Sequence, residues 1–409
     1  MKIDTNRFFK NLNRINQFGN SDESGITRLS LTEEDMKARA VLKEIFSDLN
    51  MSIQEDSAGN IWASKKGKDN SLPEVIMGSH IDTVPGGGAY DGTLGVIAAI
   101  ECMYMMKDQG LENLHPIEIV SFSTEESSRF NISTMGSKMA AGVLNGSELK
   151  KYLDENGKSL HNALVERGFN QFAAKTIDPI NVKAFLELHI EQGPILEKEV
   201  VPIGLVEGIA APTRLIINLK GEQAHSGSCP MEFRKDALTA ASEIILKVED
   251  AGRRESSHRT VATVGKITVL PGAMNVVPGD VKIYIDIRGI DTESITRVLE
   301  KINNETNKIC QKRRIKNTIN IISQEHPVLL DQKLITIVEK SCKKLNLSYQ
   351  RMSSGAGHDT MNMSGIVPSA LIFVPCIGGV SHNKNENMHT TDIENGINVL
   401  YETLISLSC

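Results

Sequence analysis

Side chains able to bind or activate water recur along this chain where strand-like runs end. His80 sits at the end of the run Glu74 to Ile81, Asp91 opens a helical run behind a glycine triplet, Glu125 and Glu126 follow the run Ile117 to Ser123, His189 ends the run 183–190, and His382 follows the run 369–374. One histidine at a strand end is more often a hydrogen-bonded structural residue than a ligand. Five ligand-type positions spread from residue 80 to residue 382 are harder to assign to chance. In an open α/β sheet the carboxyl ends of the strands are where loops converge on a crevice. Imidazoles mixed with carboxylates suit borderline divalent ions such as zinc, manganese or cobalt. A two-ion site, with ions about 3.5–4 Å apart, needs one shared carboxylate, and Asp91 is the natural bridge. Neighbouring side chains on extended backbone point oppositely, so Glu126 reads as a ligand and Glu125 as a general base.

These positions imply the elements that must hold them. Thr32 followed by Glu33, Glu34 and Asp35 predicts an N-cap and a helix to about Leu49. Residues 51–56 and 60–66 predict a hairpin around Ala58-Gly59-Asn60. Strand Glu74 to Ile81, loop Gly86-Gly87-Gly88, a helix from Asp91-Gly92 to about Lys107 and strand Ile117 to Ser123 form a parallel α/β unit. The runs 183–190 and 369–374 complete the same sheet late in the chain, which makes the middle an insert. There, strand 214–220, helix 234–250, strands 261–269 and 280–288, helix 291–312 and strand 317–323 follow in the order of a ferredoxin-like module. The expected fold class is therefore α/β, with a central mixed sheet flanked by helices in residues 1–212 and 327–409, and an inserted ferredoxin-like α+β domain in residues 213–326. Prolines at Ala211-Pro212 and His326-Pro327 mark the joints, as proline ends regular structure.

Composition narrows the function. With 409 residues, 40% hydrophobic and 23% charged, the chain suits two or three globular domains at about 100–200 residues each. A net charge of -6 supplies no basic field for nucleic acid or an anionic membrane surface. The partner expected is a small molecule. The longest apolar stretch, Gly95 to Met106, is interrupted by Glu101 and too short to span a bilayer, and residues 1–20 lack the apolar core of an export signal. Six scattered cysteines without CxxC spacing suggest reduced thiols and a cytoplasmic location.

The segments GSHIDTVPGGGAYDGTLGV, STEESSRF, LELHIEQGPILE, GEQAHSGSCPMEFRKDA, PGAMNVVPGD, SSGAGHDTMNM and FVPCIGGVSHNKNE resemble, in order and spacing, the hydantoinase/carbamoylase branch of the M20 metallopeptidase-like amidohydrolases, beginning at GITRL. The resemblance implies a di-metal domain and an inserted domain that makes a homodimer. It implies one divalent ion on His80, Asp91 and His189 and a second on Asp91, Glu126 and His382, with zinc or manganese expected and cobalt or nickel acceptable. Glu125 would be the base. Gln192, His225, Asn275 and Arg288 would touch substrate, with His225 also catalytic. Arg288 offers a planar fork for a carboxylate, and His225 and Asn275 offer donors to a developing oxyanion. The loop Gly355-Ala356-Gly357-His358 is read as a further substrate contact through Gly357 and His358. The implied reaction is hydrolysis of a C–N bond in a ureido acid, foremost an N-carbamoyl-L-amino acid, with allantoate and 3-ureidopropionate as close alternatives. A dipeptidase or N-acyl amino acid deacylase, or a metal-binding scaffold without activity, stands further off. Departures at Thr124-Glu125-Glu126-Ser127, at His225-Ser226-Gly227-Ser228 and at Lys384 leave ligands and base in place and bear on the substrate pocket.

Overall fold

A computed structural model describes residues 3–21 and 23–409; Met1 and Lys2, the first residues of the stretch read for an export signal, lie outside it with Asp22. The chain divides into one unit of residues 1–207 and 330–409 and a second of residues 208–329, wider at each end than the 213–326 drawn from sequence. Pro212 does not end regular structure. It is the second residue of strand Ala211–Lys220, whose partners it joins through its carbonyl, which accepts from Glu325 N at 3.2 Å. Among the described residues no helix is long and apolar enough to cross a membrane.

The larger unit is built on a mixed sheet. Four strands run parallel in the spatial order Ser369–Val374, Val182–Ile190, Glu74–His80, Ile117–Phe122. Ile61–Lys65 and Ser52–Glu55 extend it antiparallel on one side, and Ile203–Ile209 on the other. The parallel strands are apolar on both faces, as a sheet covered by helices requires. Helix Thr93–Asp108 is buried along nearly its whole length, against strand Glu74–His80 and the C-terminal helix Thr390–Ser408, which the sequence reading leaves unassigned. Glu101, the one acid in that helix's apolar run, is buried and pairs with Arg7 of helix Thr5–Asn16, Oε1 to Nη2 at 2.6 Å.

The smaller unit places its four long strands in the order Val261–Leu270, Asp280–Gly289, Ala211–Lys220, Lys316–Gln324, with every neighbour antiparallel. Its helices are Ala237–Arg254 and Thr292–Arg313. The first starts three residues later than its expected beginning at 234, because Asp236 rather than Arg234 supplies the cap, accepting from Leu238 N and Thr239 N. Ala237, Ala240, Ala241, Ile244, Val248 and Ala251 then form an apolar stripe at helical spacing against the sheet.

Arg28 ties several segments of the larger unit together. It is fully buried, and its five N–H groups meet Ile81 O, Ile15 O, Phe18 O, Asn16 Oδ1 and Thr93 Oγ1 at 2.7–3.3 Å. Burial lowers its pKa to about 10, opposed by Asp35 and Asp82, so the guanidinium stays charged at neutral pH. Ile81 follows His80 and Thr93 begins the helix after Asp91. Removing the guanidinium would orphan buried carbonyls and unbalance nearby carboxylates. Arg28→Met is expected to lose about 3–5 kcal/mol of stability in urea denaturation, and Arg28→Lys to recover little because an ammonium lacks the planar five-donor fork. An unchanged urea midpoint in Arg28→Met would contradict this role.

Candidate metal centre

The four parallel strands bring their carboxyl ends to one edge. His80 is the last residue of its strand and is level with Phe122, while His189 is level with Phe373 on the adjoining strand. Asp91 stands two residues before helix Thr93–Asp108. Its two carboxylate oxygens face different partners. Oδ1 lies 3.2 Å from His189 Nε2 and 3.9 Å from His80 Nε2, whereas Oδ2 lies 3.2 Å from His382 Nε2. Glu126 Oε1 is 3.1 Å from the same His382 nitrogen. Glu125 Oε2 stands 3.8 Å from His80 Nε2, outside either group of three.

The donor set fits metal ions on two counts. Backbone carbonyls orient the rings: His80 Nδ1 donates to Asp82 O and His189 Nδ1 to Ile190 O, both at 2.9 Å, so each ring turns Nε2 toward Asp91. A nitrogen so placed and the Asp91 oxygens can share a proton or a metal ion. In addition, His80, Asp91 and His189, and likewise Asp91, Glu126 and His382, each offer ligand atoms within 4.8 Å of one another. Bonds of about 2.0–2.2 Å in a tetrahedron put neighbouring ligand atoms about 3.3–3.6 Å apart, close to the spacings found. Glu187, His189 and His358 form a third grouping, but Glu187 already accepts from Ser79 Oγ and from Thr360 N and Oγ1, and His358 Nε2 meets Ser354 Oγ.

The electrostatics follow from this crowding. Burial acts to raise Asp91, yet its bonds to His189 and His382 hold it well below the usual carboxylate range. For His189, burial pulls downward but Asp91 prevails and lifts it to about 9, and bonds to Asp91 and Glu126 lift His382 to about 10. Glu125 goes the other way: burial first, then Glu126, Asp359, Asp82 and Asp91, push it well above its ordinary value. Such a carboxylate readily takes a proton.

Local backbone explains how the loops aim these groups. Thr124, Gln192 and His382 each have a left-handed φ, of 55°, 58° and 54°; the first two stand two residues beyond strands of the sheet and the third eight residues beyond Val374. For a β-branched threonine this conformation is strained, and strain of this kind persists where surroundings over-determine it. Thr124 is held by Ser30 Oγ at 2.6 Å on its hydroxyl. Glu125 and Glu126 therefore do not sit on extended strand backbone; they lie past this bend, with their N–H groups bound by Asp82 Oδ1 and Oδ2 at 3.3 and 3.0 Å. Gly92 has φ 64°, and a Cβ there would lie 2.2 Å from His80 Nε2, so only glycine lets the chain pass the imidazole.

Three residues that the sequence reading passed over complete the arrangement. Asp82 positions the glutamate pair and, through its carbonyl, His80; burial raises it to about 6, against the pull of His80. Ser381 Oγ donates to Asp91 Oδ2 at 2.8 Å, and Glu386 Oε1 accepts from Tyr90 N and Asp91 N at 2.8 and 3.1 Å. The signals available were weak: an acid two residues after His80, and another four after His382, look like solvated loop residues.

The remaining expected contacts are placed as follows. Gln192 Nε2 donates to Asp91 Oδ2 at 2.8 Å, while its buried Oε1 has no hydrogen-bond partner. His358 lies behind His189, ring to ring at 4.5 Å and 2% exposed, while Gly357 is exposed. In the smaller unit, His225 Nδ1 accepts from Gly227 N and Ser228 N, which leaves the proton on Nε2 as a donor. Asn275 is close to it in the fold, since Asn275 O accepts from Ser226 N at 3.0 Å. Arg288 Nε donates to Asp286 Oδ2 at 2.8 Å.

Known proteins resemble this chain. The family model described as peptidase family M20/M25/M40 matches residues 76–406. The chain is similar to an N-carbamoyl-L-amino-acid amidohydrolase of Pseudomonas sp. (strain NS671), 36% identical over 98% of this chain and 98% of that one. It is also similar to a ureidoglycolate hydrolase of Oryza sativa subsp. japonica, 36% identical over 99% of this chain and 85% of that one. An allantoate amidohydrolase of Escherichia coli (strain K12) is 33% identical over 96% of each chain. Among solved structures, a hydantoinase/carbamoylase family amidase from Burkholderia multivorans superposes with a TM-score of 0.95 at 31% identity, covering 100% of this chain and 98% of that one. With the match running through both units and both ligand-type clusters, this chain belongs to the M20/M25/M40 peptidase family, whose enzymes depend on metal ions.

Proposed function

We propose that this protein is an amidohydrolase that cleaves the C–N bond of a ureido acid, foremost an N-carbamoyl-L-amino acid, releasing ammonia, carbon dioxide and the L-amino acid. The observation that carries the reading is the division of the Asp91 oxygens between His80 with His189 and His382 with Glu126, beside a free-standing Glu125. The names borne by its relatives, all concerned with ureido or carbamoyl compounds, support the same substrate class.

In this reading His80, Asp91 and His189 hold one divalent ion and Asp91, Glu126 and His382 a second, zinc or manganese natively. When bound, such ions polarise a carbonyl and bring the pKa of water toward neutrality. Glu125 does the proton work: as a carboxylate it takes a proton from the attacking water and then gives it to the departing nitrogen. His225, with its proton on Nε2, and Asn275 donate to the carbonyl oxygen as it gains charge. Arg288 binds the substrate carboxylate through its fork. The N–H of Gly357 gives a further anion contact, and the unpartnered Gln192 Oε1 accepts from a ureido N–H. The smaller unit joins two copies of the chain into a homodimer, and the protein works on its small-molecule substrate in the cytoplasm.

Ammonia release measured across N-carbamoyl-L-amino acids, allantoate, ureidoglycolate, 3-ureidopropionate, N-acyl amino acids and dipeptides, on protein reloaded separately with zinc, manganese, cobalt and nickel, tests the substrate class. Turnover is expected with N-carbamoyl-L-amino acids; turnover of peptides or acyl compounds alone would replace this reading, and none with any substrate would favour a binding protein. Glu125→Gln is expected to lower kcat about 10²–10⁴-fold with metal content unchanged, whereas Glu126→Gln loses metal as well. Equal metal loss in both variants would show that Glu125 is a ligand rather than the base.

A further inference from the structure

Beyond the ligands themselves, the loop that carries His382 also carries a buried carboxylate with no part in the reaction just described. Glu386 is 5% exposed, and its side chain reaches back across the fold to the loop of Asp91. One oxygen, Oε1, accepts both Tyr90 N at 2.8 Å and Asp91 N at 3.1 Å, groups 296 and 295 residues away in the chain. The other, Oε2, lies 3.1 Å from Ser381 Oγ, and that hydroxyl also reaches Asp91 Oδ2 at 2.8 Å. The approach is close: a Cβ on Gly88 would fall 2.3 Å from Glu386 Cβ, Cδ and Oε1. Asp91 is thus held at two points, at its own amide by Glu386 and at its carboxylate by Ser381, whose one hydroxyl proton serves Asp91 Oδ2 or Glu386 Oε2 in turn.

We propose that Glu386 is a positioning residue that clamps Asp91, with Ser381 as the link, so that the two Asp91 oxygens stay divided between their two histidine partnerships. The inference rests on reading the centre as a metal site. A carboxylate brought this near Asp91 adds like charge to an already acidic edge, so a role in packing alone would be better served by an apolar or amide side chain. Two backbone N–H groups converging on one oxygen fix the path of residues 90 and 91, and the direction of the Asp91 side chain follows from that path. The shared hydroxyl then sets its rotation. Residues of this kind, one bond removed from the ligands, typically govern metal affinity by about 10–100-fold.

The test uses the full chain stripped of metal and titrated with cobalt(II), read by its visible absorption bands and by competition with a chelator, with thermal melting followed by circular dichroism. Glu386→Ala is expected to bind cobalt about 10–100-fold more weakly and to alter the bands. Glu386→Gln, which keeps an oxygen for the two N–H groups, is expected to stay within about threefold of the parent. Parent-like affinity and bands in Glu386→Ala would overturn the clamp, as would Glu386→Gln binding as weakly as Glu386→Ala, since charge would then be the cause. If Glu386→Ala melts far below the parent, Ser381→Ala decides: altered bands support the link, and unchanged bands overturn it. A parent protein that binds no cobalt would remove the centre itself and the clamp with it, whereas cobalt binding without ureido hydrolysis would leave the clamp standing and remove only the proposed substrate.

Discussion

Negative charge gathered at one buried sheet edge governs the larger unit. Asp82, Asp91, Glu125 and Glu126 are each less than a tenth exposed, and their neighbours push one another in opposite directions: Asp91 well down, Glu125 well up, Asp82 to about 6. Uncompensated carboxylates this deep would be strongly unfavourable. His189 and His382, each raised well above its ordinary value by the acids, supply part of the balance, and Arg28, fully buried, supplies another fixed positive charge. In His80 and His189 a backbone carbonyl holds Nδ1, which turns Nε2 toward the acids, where a proton or a metal ion can be shared. An edge of this composition could hold metal ions: His80, Asp91 and His189, and likewise Asp91, Glu126 and His382, bring their ligand atoms within 4.8 Å of one another.

Holding such an edge open to chemistry requires backbone that does not relax. Thr124, Gln192 and His382 adopt left-handed conformations, and Gly92 passes His80 where no Cβ fits. Thr124 and Gln192 closely follow parallel strands and Gly92 precedes the buried helix Thr93–Asp108, so surrounding regular structure holds these bends. The ligands thereby belong to short loops whose ends are fixed, which is what a site needs if its geometry is to survive binding and release of substrate. Asp82, Glu386 and Ser381 then act one bond away, on backbone amides and on the Asp91 carboxylate.

The smaller unit contributes groups of another kind. His225, Asn275 and Arg288 are neutral or cationic donors, carried by a hairpin and a strand of an antiparallel sheet. Donors of this sort can bind carboxylate and carbonyl oxygens.

Local sequence determined much of this protein. Side-chain type and strand-end position single out His80, Asp91, Glu125, Glu126, His189 and His382, because hydrophobic runs and glycine loops are readable within a few residues of each. Helix starts follow in the same way where a cap is present, as at Thr32, whose hydroxyl accepts from Asp35 N. Tertiary structure alone decided which oxygen of Asp91 faces which histidine, that Glu386 meets Tyr90 and Asp91 across 295 residues or more, that Arg7 neutralises Glu101 inside an apolar helix, and that Gln192 turns toward Asp91. Those facts depend on distances between segments far apart in the chain, and periodicity, capping and composition carry information only about neighbours. A lone acid such as Glu386 is written in sequence like any solvated loop residue; burial against a distant backbone is what gives it a task.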